Sequence, residues 1–91
     1  MTAESEAFCV ATFHSTYSVL KAEKIFKGSG LRQVRLIPVP SRISSDCGVT
    51  VRFLMSELER AQDLLEPLRD DLEGIYVQTE REWTALYESE E

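Results

Sequence analysis

Residues 7–28 read AFCVATFHSTYSVLKAEKIFKG, and the change of period inside this stretch decides the fold. Ala7 to Phe13 is a short apolar run bounded by polar residues, the pattern of a buried strand. His14-Ser15-Thr16 then opens a helix, with Ser15 as N-cap because its oxygen can accept from an otherwise unpaired backbone N–H. Val19, Ala22 and Phe26 follow at spacings of three and four and form an apolar stripe, with Ile25 at its edge. Lys21, Lys24 and Lys27 fall on the opposite face, and Gly28 and Gly30 end the helix.

Outward from this unit, Leu31 to Val39 reads as a second strand, with Pro38 and Pro40 at its end. Neither proline has an N–H to donate, which suits an edge strand or an exit. The polar loop Ser41–Gly48 leads into Val49-Thr50-Val51-Arg52-Phe53, which alternates with period two and marks a strand with one buried face. Ser56-Glu57-Leu58-Glu59 has the spacing of a capping box. Leu58, Ala61, Leu65 and Leu68 continue as a helical stripe until Pro67 kinks or ends it. Gly74 breaks the chain before a fourth strand, Ile75–Thr79. In residues 80–91, Trp83, Leu86 and Tyr87 lie at i, i+3 and i+4 and predict a short amphipathic helix in an acidic tail.

The order strand, helix, strand, strand, helix, strand predicts an α+β protein of ferredoxin-like βαββαβ type. Right-handed crossovers then give a two-layer sandwich, a four-stranded antiparallel sheet of order 4-1-3-2 with two helices on one face. Residues 1–79 form the expected single domain, with 1–6 a flexible N-terminus, and the C-terminal helix lies in the 80–91 tail.

Composition narrows the function. A chain of 91 residues holds one domain. No stretch approaches the roughly 20 apolar residues of a membrane span, and the acidic start Met1–Glu6 is unlike a signal peptide. The expected location is therefore cytoplasmic, away from membranes. The net charge of −6 divides unevenly: residues 1–54 carry seven Lys/Arg against four Asp/Glu, and residues 55–91 three against twelve. The cations are too few, beside so acidic a half, to suggest a nucleic-acid footprint, and no nucleic-acid partner is expected. Two cysteines make no disulfide framework, and a single histidine argues against a zinc site. No Ser-His-Asp set, P-loop or dinucleotide fingerprint is present, so neither metal nor other cofactor is expected, and a carrier or binding module fits better than an independent enzyme.

The topology places one group of interest. The first strand ends where the first helix begins, and the loop between strands two and three returns to that same sheet edge. Cys47 is thereby expected beside the helix start at Ser15 and Thr16. A helix N-terminus favours an anion by about 1 kcal/mol, and a thiolate is such an anion. Arg42 and a protonated His14 would add to this, Asp46 would oppose it, and Gly48 would let a ligand or backbone approach the sulfur. His14 is the candidate proton donor or acceptor; Ser15, Thr16, Arg42 and Gly48 are the candidate anion-binding set. Residue chemistry alone leaves Cys47 equally readable as a bystander on a surface loop. Cys9 reads as a core residue, separated from the Phe13 end by roughly 13 Å of strand.

Three segments together resemble the Se/S carrier-like family of small bacterial domains: Thr12–Thr16 leading into Leu20–Lys24, then Arg35-Leu36-Ile37-Pro38-Val39-Pro40, then Ile43-Ser44-Ser45-Asp46-Cys47-Gly48 followed by Arg52-Phe53. The resemblance covers about residues 7–78, and the Pro-Val-Pro to Ser-Ser-x-Cys-Gly stretch is its most specific part. It implies that an exposed Cys47 carries sulfur or selenium as a persulfide or selenosulfide, in a sulfur relay with donor and acceptor proteins. The competing reading is a non-catalytic interaction or regulatory module that binds a small anion or ligand. Any homodimer would form through the exposed sheet, helix 1 or the C-terminal tail.

Overall fold

A computed structural model describes residues 7–80 and 82–89. The expected N-terminal segment 1–6 lies outside the described residues. The elements are β1 (Phe8–Phe13), α1 (Thr16–Gly28), β2 (Arg35–Pro38), β3 (Val49–Leu54), α2 (Leu58–Leu64), β4 (Leu72–Thr79) and β5 (Glu82–Glu88). The 3-10 turns Met55–Glu57 and Glu66–Asp71 flank α2. All strand pairs are antiparallel, and the sheet order is β2-β3-β1-β4-β5.

The α+β class stands, but the four-stranded sheet is corrected to five strands. The first four take the relative positions 4-1-3-2, and a fifth adds outside β4. The expected C-terminal helix is this strand. Glu80, at a φ of 56°, turns the chain back, and Thr79 pairs with Glu82. Trp, Thr, Leu and Tyr suit a pleated surface as well as a helix face. The register shifts between Ile75 and Tyr76, so the two half-buried aromatics fall on opposite faces: Tyr87, opposite Ile75, packs against the core, and Trp83 stands opposite Gln78, while Leu86 is 38% exposed.

Two further expectations shift. Ser56 does not open α2: the chain first makes the 3-10 turn Met55–Glu57, and the α-helix follows from Leu58. Gly74 does not break the chain but sits within β4. A Cβ built there would lie 2.9 Å from both the Tyr87 carbonyl oxygen and the Tyr76 ring, so β5 and β4 approach this closely only because the side chain is absent.

The core lies between the sheet and its helices. Cys9, Ala11 and Phe13 of β1, Val51 and Phe53 of β3, and Ile75 and Val77 of β4 pack with Val19, Ala22 and Phe26 of α1 and with Ala61 and Leu65. Phe26 meets Phe53 edge-to-face at 5.3 Å, a geometry that adds about 1 kcal/mol to the area buried. Ser15 caps α1 as expected, its oxygen accepting from Ser18 N–H at 3.3 Å. Among the described residues no helix is long and apolar enough to cross a membrane.

Candidate functional site

Three chain segments meet at the end of β1: the start of α1, the loop before β3, and the start of β4. The register explains why. Phe13 pairs with Leu72, so residues 71–73 lie at the edge where α1 begins, and the antiparallel partner β3 starts at that edge too.

Cys47 is brought to α1. Its Sγ lies 3.2 Å from the hydroxyl of Thr16, the first residue of the helix. The amides of a first helical turn have no acceptor within the helix, and the contact that joins the sulfur to this turn is the Thr16 hydroxyl. The expectation of an exposed thiol is corrected, however: Cys47 is only 6% exposed and belongs to the core cluster. The cause is local. Asp46 and Gly48 point outward, and the residue between them is turned in.

The two residues before Cys47 are tied to Glu73. One of its carboxylate oxygens accepts from the Ser45 hydroxyl at 2.5 Å and the other from the Asp46 backbone N–H at 3.0 Å. Ser45 Oγ in turn accepts from the Cys47 N–H at 3.2 Å. His14 completes the arrangement. Its Nδ1 lies 2.7 Å from Asp46 Oδ2 and 3.2 Å from Glu73 Oε2. The hydrogen bond to Asp46, with the nearby charges of Glu73, Asp46 and Asp71, holds the His14 pKa above its ordinary value against a smaller opposing effect of burial.

His14, Asp46 and Glu73 bring potential metal-donor atoms within 4.8 Å of one another. In this arrangement the atoms satisfy each other and the loop backbone, which makes the cluster a hydrogen-bonded clasp.

The other predicted residues fare differently. Ser15 is engaged by the protein's own anion: its hydroxyl donates to Asp71 Oδ2 at 2.7 Å and its N–H to the same oxygen at 3.2 Å. Burial pushes the Asp71 carboxyl up, but the hydrogen bonds from Ser18 and Ser15 and the charge of His14 outweigh it and leave the pKa lowered. A free anion at Ser15 would have to displace that carboxylate. Arg42 is exposed, and among the described residues no hydrogen bond or ion pair ties it to the thiol. Gly48 has open space where a Cβ would stand, so no backbone crowds it. Cys9 is fully buried, lies 3.4 Å from Met55 Sδ, and is pushed up to about 11 by that burial. Both cysteines are free.

Glu73, Asp71 and Ser45 are the residues that sequence reasoning missed. The signal was topological: the strand directions that carry Cys47 to α1 carry the start of β4 to the same edge.

A family model described as "Putative Se/S carrier protein-like" matches residues 8–77, which span β1 through most of β4 and include every residue of the clasp. No curated protein and no solved structure matches the chain.

Proposed function

The chain belongs to the Se/S carrier protein-like family, and from that membership we propose that it carries sulfur or selenium on Cys47. The observation that carries this reading is the thiol seated against Thr16 at the head of α1. In the exchange, the Cys47 thiolate attacks the terminal sulfur of a donor persulfide, R–S–SH. A new S–S bond forms to Sγ, the donor's S–S bond breaks, and the donor leaves as its thiolate. Cys47 then bears the –SH, with no net oxidation. A donor R–S–SeH would load selenium by the same displacement. Thr16 donates its hydroxyl to the sulfur while it is anionic.

A carrier needs no deep substrate pocket; it needs its thiol to be reached. With Cys47 6% exposed, loading requires the segment 44–48 to swing outward. Tyr17 and Leu20, 67% and 49% exposed on the helix that the thiol touches, offer donor and acceptor proteins an apolar foothold.

The test is intact-mass spectrometry after incubation with a small-molecule persulfide. Wild type gains about 32 Da, or about 79 Da with the selenium analogue, reversible by thiol reductant. Cys47→Ser gains neither, and Cys9→Ser still loads. Loading that survives Cys47→Ser overturns the assignment.

A further inference from the structure

The clasp holds the sulfur-bearing loop shut, and this goes beyond the identity of the carrier residue. We propose that Glu73 is the positioning residue of the site: paired with His14, it clamps Ser45 and Asp46 against the start of β4, and its release uncovers Cys47. The inference rests on the carrier reading for its biological purpose but stands on geometry of its own.

The clamped segment is short and well delimited. Upstream, Ile43 is a buried anchor whose N–H donates to Pro40 O at 2.9 Å. Downstream, the Val39 N–H donates to Gly48 O at 3.1 Å, just before β3 pairs with β2. Between them, Ser45 and Asp46 reach across to β4 through a single side chain. Both oxygens of that carboxylate are used. A glutamine would keep the Asp46 bond only by turning its NH2 toward Ser45, whose hydroxyl would then have to accept, and its neutral amide loses the charge that pairs with a cationic histidine.

The clamp also responds to charge. His14 faces Asp46 from the loop, Glu73 from β4 and Asp71 from the turn before β4. Tyr76 also feels the charge of Glu73. Protonated His14 bridges the two loop-holding carboxylates; neutral His14 leaves Asp46 and Glu73 to repel each other. Opening therefore becomes easier as pH rises through the elevated His14 pKa.

The experiment measures the alkylation rate of Cys47 by iodoacetamide, read on the Cys47 peptide by mass spectrometry. It compares wild type with Glu73→Gln, His14→Gln and Ser45→Ala at a pH where His14 is protonated. All three variants are expected to react faster, Glu73→Gln by about tenfold, the equivalent of one lost hydrogen bond to a charged group. Hydrogen exchange at the Asp46 and Cys47 amides is expected to rise in parallel, while core amides of β1 keep wild-type protection. The ratio of Glu73→Gln to wild type should shrink as pH rises through the His14 titration.

Electrostatics without a clamp predicts a different pattern: removing an anion speeds the thiol, removing a cation slows it, and Ser45→Ala leaves it unchanged. That pattern, or equal rates throughout, overturns the proposal. Iodoacetamide brings its own electrophile, so these rates judge the clamp whether or not the thiol accepts sulfur, and persulfide loading judges the carrier reading.

Discussion

His14 places its Nδ1 2.7 Å from Asp46 and 3.2 Å from Glu73, so its cationic form is held by carboxylates from two separate segments. Because the folded pKa is raised above the ordinary 6.5, the associated stabilisation is fully present below the unfolded value and is lost as pH rises through the folded one. The hydrogen bond to Asp46 is the largest cause. An NMR titration of the His14 ring should therefore give a midpoint above 6.5 in wild type and a lower one in Asp46→Asn. Equal midpoints would show that this bond does not hold the charge. At this scale the sequence was half legible. The meeting of Cys47 with Thr16 follows from strand directions alone, and Ser15 as a cap follows from its side chain. The burial of Cys47 does not follow, because the loop before it is tied down by Glu73, which lies 26 positions further along the chain. Asp46 reads from sequence as a charge opposing the thiolate, yet in the fold its carboxylate is turned to His14.

Among the elements, β1, α1 and β3 announce themselves through period and capping, and each lies within a residue or so of its expected bounds. The second strand shortens to Arg35–Pro38 on the sheet edge, where proline costs no ladder bond. β5 was hidden for a specific reason. The spacing of Trp83, Leu86 and Tyr87 fits a helix, and its hairpin has none of the Gly or Asn that mark a tight turn; Glu80 takes the left-handed conformation instead. The glycine that β5 needs is instead Gly74, in the partner strand. Gly74→Ala should lower stability by about 1–3 kcal/mol, the usual range for overpacking, because the Tyr87 carbonyl at 2.9 Å is backbone and cannot turn aside. Chemical denaturation checks this, and a variant as stable as wild type would mean that the two strands separate there without penalty.

The whole molecule keeps its chemistry at one end of the sheet and its excess negative charge in the second half of the chain. β5 lies beyond the family match, which stops at residue 77, and so extends the sheet past the matched residues. The fifth strand also sets a new outer border, with backbone groups facing outward. If two copies met there antiparallel and centred on Ala85, Glu82 of one would stand opposite Glu88 of the other at both ends, and like charges directly opposite are unfavourable. Charged side chains of this kind on an edge strand discourage such pairing. Light scattering should accordingly find the wild-type protein dispersed at neutral pH, with Glu82→Gln/Glu88→Gln associating under the same conditions. Charge would then guard this chain twice: the His14 cation holding the cover over the sulfur, and the border glutamates holding neighbouring copies apart.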